Sequence, residues 1–145
     1  MSEAQHRDPR IAVADLALRV ARRLEARKFA DPLIAPLTPL ERLVIHYVDG
    51  HPGTSLGELA EHLTLQTSNA SAAVRRLVDL GLVERTHDQR DGRRLLLSPT
   101  RKAHATLARV HAEWGRAMAG ADLAADDVAT AVRVLAALDN WLTPD

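Results

Sequence analysis

The chain of 145 residues contains no cysteine, which excludes a disulfide framework, a thiolate metal site and a thiol redox switch. Aromatic residues are scarce, at 3% of the chain, whereas abundant alanine and leucine favour helices. No apolar run reaches the roughly 18 residues that a membrane span requires. The first six residues also lack the apolar segment of a secretory signal, so we expect a cytoplasmic protein.

Catalytic motifs are missing as well. The chain has no Gly-x-Ser-x-Gly elbow, no phosphate-binding glycine loop and no His-Glu-x-x-His pair, so we expect neither an enzyme nor a bound cofactor. Four histidines fall on predicted helices, namely His46, His62, His104 and His111. Because no two histidines are four residues apart and a metal ion needs three or four converging ligands, we expect no metal site. A regulatory metal remains the alternative.

The net charge is zero, with 19 basic and 19 acidic residues, which by itself argues weakly against a nucleic-acid partner. The charge is unevenly distributed along the chain, however. From Ser71 to Lys102 eight basic residues are opposed by four acidic ones, whereas the last 27 residues carry five aspartates and one arginine. Such segregation is the electrostatic pattern of a nucleic-acid-binding protein.

Apolar spacing predicts three helices in the first half of the chain. The first runs from about Pro9 to Phe29, and a proline-containing bend follows it as far as Pro36. Two capping boxes, Thr38-Pro39-Leu40-Glu41 and Ser55-Leu56-Gly57-Glu58, start the second and third helices.

Three more helices are predicted in the second half. The fourth runs from about Ser68 to Leu80, is capped by Thr67 or Ser68, and ends at Gly81. Thr100 caps the fifth helix. Asp126 and Asp127 suit the first turn of the sixth helix, where carboxylates meet the positive end of the helix dipole.

The charged segment His87–Arg94 contains a glycine and lies between the apolar runs Leu82-Val83 and Leu95-Leu96-Leu97. This pattern predicts a β-hairpin from Leu82 to Ser98. A helix pair followed by a basic hairpin indicates a mainly α fold with a small β-hairpin wing, the winged helix-turn-helix. The hairpin tip offers the arginines Arg90, Arg93 and Arg94, which suit a narrow groove lined with phosphates. We expect Asp88 and Asp91 to pair with neighbouring arginines and set the shape of the tip. The alternative is a surface loop whose charges cancel.

The fourth helix is the predicted recognition helix. Its exposed face has small or short hydrogen-bonding side chains near the start, which permits close approach to a major groove. Arginines follow one to two turns later, where guanine or backbone contacts are possible. The candidate residues on or beside this face are Gln66, Ser68, Asn69, Ser71, Ala72, Arg75 and Arg76. A solvated polar face of an ordinary amphipathic helix is the alternative.

Several motifs resemble those of the MarR family of bacterial transcriptional regulators. They are Leu37-Thr38-Pro39, Leu59-Ala60-Glu61, the segment from Arg76 to Arg85, and Asp88-Gln89-Arg90-Asp91-Gly92-Arg93. The resemblance covers about Leu37 to Thr100. It implies a winged-helix homodimer on a pseudo-palindromic operator, which usually represses and is released by a small ligand.

The resemblance also implies roles for individual residues. Arg93 matches the wing arginine that enters the minor groove, and Asp91 matches the wing aspartate two residues before it. The positions of recognition-helix contacts are occupied by Thr67, Asn69, Ser71 and Ala72. The chain departs from the family pattern at Ala72, where arginine is frequent, and at Pro99–Ala103, which replaces the usual Leu-Thr-x-x-Gly. Without cysteine, the peroxide sensing of some members is impossible.

The predicted organisation is one domain with two lobes. Residues 37–103 form the DNA-binding lobe, and residues 1–36 and 104–145 form a helical lobe that dimerises through the first, fifth and sixth helices. An aromatic or phenolic effector is a possible ligand, in a pocket lined by His46, Tyr47, His111 and Trp114. Core or interface packing is the alternative for these residues. The rival function is a winged helix that binds another protein rather than a specific DNA sequence.

Overall fold

The computed structural model describes residues 8–34 and 36–144. These residues form a mainly helical fold with one small sheet, which confirms the predicted fold class. The elements are α1 (Pro9–Glu25), α2 (Pro39–Gly50), β1 (Thr54–Ser55), α3 (Leu56–His62), α4 (Thr67–Asp79), β2 (Val83–His87), β3 (Leu95–Pro99), α5 (Arg101–Met118) and α6 (Ala125–Leu142). The sequence predictions about the first six residues, and about residues 1–7, 35 and 145 of the helical lobe, lie outside the described residues.

The chain divides into two compact units, one up to Ala30 and one from Asp31 onward. The first unit contains α1, which begins at the N-cap Asp8, whose carboxylate accepts the Arg10 amide at 2.9 Å. The helix ends at Glu25, so the prediction that it reaches Phe29 is wrong. The amide of Arg27 bonds only three residues back, to Leu24 O at 3.3 Å, and this tightened turn closes the helix without any terminal signal in the sequence.

Both predicted capping boxes are confirmed. At the start of α2 the Glu41 amide donates to Thr38 Oγ1 at 3.2 Å, and the Thr38 amide donates to Glu41 Oε2 at 2.9 Å. The same exchange joins Ser55 and Glu58 at the start of α3. These reciprocal bonds satisfy amides that have no partner within the helix, and so fix where each helix begins.

The hydrophobic core of the second unit lies between α2, α3, α4, the sheet and the first turns of α5. Its completely or almost completely buried side chains include Val44, Ile45, Val48, Leu59, Val74, Leu77, Leu82 and Leu97. Burial of each such side chain contributes about 1.5–3 kcal/mol relative to exposure. Because α4 supplies Ala70, Ala73, Val74 and Leu77 to this core, the helix cannot rotate about its axis without exposing them.

The sheet is antiparallel with strand order β1-β3-β2. The predicted hairpin is confirmed as β2–β3, which pairs Val83 with Pro99 and His87 with Leu95. β1 adds a third strand by pairing Thr54 with Leu97. β1 was not predicted from the sequence, because two residues are too few to show an alternating pattern.

The two ends of α4 differ from each other. The prediction that Thr67 or Ser68 caps its start is wrong: Thr67 is already helical, and the N-cap Gln66 makes no side-chain hydrogen bond. In the preceding turn Thr64 has a φ of 53°, and Gln66 has extended backbone. The helix therefore starts at Thr67, one residue before the predicted start at Ser68. At the other end Gly81 has φ +70°, and the amides of Gly81 and Leu82 bond to the Val78 and Leu77 carbonyls. This Schellman motif explains the glycine.

The last two helices differ in burial. α5 begins at the N-cap Thr100 as predicted, and it buries Ala103, Thr106, Leu107 and Val110. α6 has Asp126 and Asp127 in its first turn as predicted, but it buries no side chain. No described helix combines the length and the apolarity that a bilayer crossing requires.

Candidate nucleic-acid interface

The exposed face of α4 contains the predicted recognition residues. Gln66 and seven of the first ten helical positions were candidates, and all of these side chains are exposed except Ser71, which is half-buried. Ala70, Ala73 and Val74 between them, and Leu77 just after them, are buried in the core. The amphipathic pattern therefore orients the helix, and the core keeps the short polar side chains on the outer surface.

The first turn of α4 is free of side-chain caps, since Gln66 makes no capping hydrogen bond. The amides at a helix start carry the positive end of the helix dipole and have no intrahelical acceptor. Thr67, Ser68 and Asn69 around them have short side chains, so an anionic group such as a phosphate oxygen can approach closely. Further along, Arg75 and Arg76 are exposed and have no ion-pair partner within the described residues.

The tip of the wing is shaped by its two aspartates. Asp88 Oδ1 accepts the Arg90 backbone amide at 2.9 Å, and Asp91 Oδ1 accepts the Arg93 backbone amide at 3.1 Å. The aspartates therefore pair with neighbouring arginines as predicted, but through the backbone amides and not through the guanidinium groups. A short aspartate side chain bonds more readily to the backbone amide two residues ahead of it than to a distant guanidinium group. This local bond is an Asx-turn.

Further backbone contacts close the tip. The Asp88 amide donates to the Arg94 carbonyl at 2.9 Å, and a hydrogen bond of 2.8 Å joins His87 Nδ1 to the Gly92 carbonyl. The guanidinium groups of Arg90 and Arg93 are exposed and, over residues 8–34 and 36–144, have no carboxylate partner. The folded tip therefore presents two unpaired cations to solvent.

Arg94 differs from the other two wing arginines. Its Nη2 forms an ion pair with Glu58 Oε1 at the start of α3, and it lies 3.5 Å from the Ser55 hydroxyl. Hydrogen bonds from the Ser55 amide and the Arg94 guanidinium lower the pKa of Glu58 from 4.5 to about 2. The contact of Glu58 with Arg94 was not predicted from the sequence, because the two residues are 36 positions apart and only the fold brings them together.

The predicted effector-pocket residues fall into two groups. His46, His111 and Trp114 are brought together, with the His46 ring centroid 5.2 Å from His111 and 5.7 Å from Trp114. Tyr47 instead stacks on His51 at 4.2 Å and lies 4.8 Å from His62. His51 of this second cluster was not predicted from the sequence. It follows the last residue of α2, and a histidine at a helix end is usually exposed to solvent.

A cleft of about 460 Å³ is lined by residues of both aromatic groups, the one around His46 and the one around Tyr47. It is lined by His46, Tyr47, His51, His62, Asp139 and Leu142, among others, but not by His111 or Trp114. Burial, with a smaller effect of neighbouring His111, lowers the pKa of His46. The buried His46 Nε2 and Trp114 Nε1 have no hydrogen-bond partner among the described residues. No group of three metal-ligating side chains is found in that part of the chain.

Comparison with known proteins finds a family match over part of the chain and similar solved structures. The model of the MarR family matches residues 35–94, which include α2, β1, α3, α4, β2 and the tip of the wing but not β3. CouR, a transcriptional repressor solved with a 23-mer DNA duplex, is 28% identical and covers 88% of this chain and 89% of its own, with a TM-score of 0.67. A comparison with proteins of curated function finds no match.

Two further solved structures share the fold. MarR from E. coli is 22% identical over 92% of this chain and 98% of its own, with a TM-score of 0.73. The PcaV regulator from Streptomyces coelicolor, solved with its natural ligand, is 22% identical over 97% of this chain and 96% of its own, with a TM-score of 0.60. The core, the α3–α4 pair and the hairpin thus define a winged helix-turn-helix protein. Residues 35–94, less than half of the chain, are thus similar to the MarR family, and CouR is a transcriptional repressor of the same fold.

Proposed function

We propose that this protein binds double-stranded DNA as a homodimer and represses transcription until a small ligand releases it. The proposal is carried by two features that occur together: the uncapped, small-residue start of α4, and a wing tip whose Arg90 and Arg93 guanidinium groups have no carboxylate partner among the described residues. α4 enters the major groove, and the wing enters the adjacent minor groove, where concentrated negative potential favours arginine.

Each candidate residue on or beside α4 has a contact that its chemistry permits. Asn69 and Gln66 can each bind adenine through two hydrogen bonds, and the Ala72 methyl can contact a thymine methyl. The hydroxyls of Thr67, Ser68 and Ser71 bind a base edge or a phosphate, and Arg75 and Arg76 bind guanine or the backbone. Asp91 acts through the shape of the wing, because its carboxylate accepts the Arg93 amide.

Dimerisation is supported by exposed apolar helix faces. α1 exposes Ile11, Leu16, Leu18 and Val20, and α6 exposes Val128, Val132, Leu135 and Leu142. A second copy of the chain would cover such faces through the helical lobe, residues 1–36 and 104–145. A two-fold dimer would then separate the two α4 helices by about 34–36 Å, one turn of duplex, and match a pseudo-palindromic operator.

Ligand release is supported by the cleft beside Tyr47 and His46. Its aromatic lining favours a planar aromatic or phenolic effector that stacks on the rings, and PcaV provides a ligand-bound structure of the same fold. An effector that binds better to a dimer with wrongly spaced α4 helices would shift the population away from the DNA-binding state. We assign the protein to the cytoplasm, where its DNA and metabolites are accessible.

The test is selection from a pool of random duplexes, followed by affinity measurement over a range of salt concentrations. We expect enrichment of an inverted repeat, and we expect affinity for it to fall steeply as salt rises, because each neutralised phosphate releases counterions. No enrichment, or a flat salt response with binding to protein partners instead, would favour the protein-interaction module.

A further inference from the structure

Arg94 of the wing makes side-chain contacts with residues outside the wing. It immediately precedes β3, and its guanidinium crosses to the start of α3, where it binds Glu58 Oε1 and lies 3.5 Å from Ser55 Oγ. Glu58 Oε2 is engaged as well, since it accepts the Ser55 amide at 2.8 Å and lies 3.4 Å from Thr54 Oγ1. One carboxylate therefore holds the helix cap and the wing arginine together.

We propose that Arg94 is a positioning residue that fixes the wing relative to the helix-turn-helix by binding Glu58, and that it does not contact DNA. This inference rests on the proposed DNA-binding function and refines it. Arg93, one residue earlier, then carries the wing contact alone or together with Arg90, whose guanidinium groups have no carboxylate partner in the described ranges.

The contacts of the two residues support this division of roles. Arg93 lies in the turn of the tip with an exposed side chain, whereas Arg94 follows the turn and is bound to Glu58. Contact of Arg94 with a phosphate would also require it to leave Glu58, which would remain with one charge-assisted hydrogen bond fewer.

The position of the ion pair explains what it can control. β1 ends at Ser55 and pairs with β3, whereas α3 begins at Leu56 and packs against α4. The Arg94–Glu58 contact therefore joins the tip end of the wing to the helix that supports the recognition helix. If it is lost, the wing can change its angle to α4 although every DNA-facing side chain is still present.

The discriminating variant is Glu58→Gln, because glutamine also serves in a capping box but removes the charge that Arg94 binds. Glu61→Gln is the matched control: Glu61 lies on the same short helix, is exposed, and has no side-chain partner among the described residues. The probe is the duplex that wild-type protein enriches from a random pool. If Arg94 positions the wing, Glu58→Gln binds this duplex about two- to fivefold more weakly, the range expected for an exposed ion pair.

If Arg94 instead contacts DNA, Glu58→Gln should not weaken DNA binding. Glu58→Gln would free a cation beside the duplex, and affinity would equal or exceed that of Glu61→Gln. That result would overturn the inference. It would be distinct from failure of the proposed function, in which wild-type protein itself enriches no duplex.

Arg94→Ala gives a second comparison. We expect weaker binding with an unchanged salt dependence, whereas loss of a phosphate contact would lower the slope of log affinity against log salt by about one. The double variant Glu58→Gln/Arg94→Ala should bind no more weakly than either single variant, since both remove the same interaction. A lowered slope or additive losses would contradict the positioning role.

A measurement without DNA tests the contact directly. The carboxyl carbon of Glu58 is followed by NMR as the pH of the free protein is changed. Arg94→Ala should raise the pKa of Glu58, because the guanidinium that stabilises its charged form is gone. An unchanged titration would mean that the ion pair does not form in solution, and the inference would fail.

Discussion

At the scale of single residues, the wing shows that arginines of similar appearance in the sequence differ in their partners. Arg90 and Arg93 donate their backbone amides to Asp88 and Asp91 and leave their guanidinium groups exposed. The guanidinium group of Arg94 instead forms an ion pair with Glu58. Because a cation that already has a carboxylate partner contributes less to attraction of phosphates, the three residues should respond differently to substitution.

Arg93→Ala is the direct test of the wing contact. We expect it to weaken binding of the selected duplex by about 1–3 kcal/mol, because a guanidinium in the minor groove is lost. Thermal unfolding should be unchanged, since the Arg93 side chain is exposed and the alanine backbone still binds Asp91.

The matched control for this measurement is Arg133→Ala, which removes an exposed arginine of α6 outside the DNA-binding lobe. Both variants are measured at one salt concentration. Equal affinities of the Arg93 and Arg133 variants would show that the wing tip makes no contact with the duplex.

At the scale of elements, α4 has an open start and a closed end. Its start has no side-chain cap, which leaves amides free for a ligand. Its end is held by Gly81 and by contacts from the start of α5: Lys102 Nζ donates to the Leu80 carbonyl at 2.7 Å, and Thr100 Oγ1 donates to the Gly81 carbonyl at 2.7 Å. The asymmetry fits a helix that is anchored at one end and presents the other.

Lys102→Met tests the anchored end. The substitution keeps much of the aliphatic chain but removes a donor to a C-terminal carbonyl, so we expect a loss of about 0.5–1.5 kcal/mol in the free energy of unfolding. Urea denaturation monitored by circular dichroism gives this value. Arg101→Met is the control, because Arg101 is adjacent and exposed but makes no side-chain hydrogen bond in the described part of the chain. Equal stability of the two variants would contradict the capping role of Lys102.

The elements also show how far the sequence could be interpreted. The capping boxes at Thr38 and Ser55, the buried face of α4 and the β2–β3 hairpin were predictable, because each depends on residues a few positions apart. β1, the Arg94–Glu58 ion pair and the Lys102 contact were not, because each joins residues that only tertiary packing brings together. The Asx-turns at Asp88 and Asp91 are local, but electrostatic reasoning alone did not indicate that the carboxylates bind the backbone amides of the arginines.

At the scale of the whole molecule, apolar surface is left uncovered. The exposed residues Val128, Val132 and Leu135 lie on one face of α6 at helical spacing, and Trp141 and Leu142 are exposed at its end. A helix with this composition is stable in water mainly when another element covers it. The proposed two-fold dimer provides that cover, and two linked recognition helices would bind an inverted repeat more tightly than one.

Val132→Asp tests the dimer without disturbing the core of one chain, because Val132 is 61% exposed. A carboxylate buried at an interface costs several kcal/mol, so we expect the variant to be a folded monomer with much weaker binding to the selected inverted repeat. Light scattering coupled to size-exclusion chromatography measures the mass. Thr130→Asp places the same charge beside Arg133, which donates to Thr130 Oγ1 at 3.0 Å, and it should remain dimeric. If wild-type protein is itself monomeric, or if Val132→Asp stays dimeric, the role of α6 in pairing two chains is wrong.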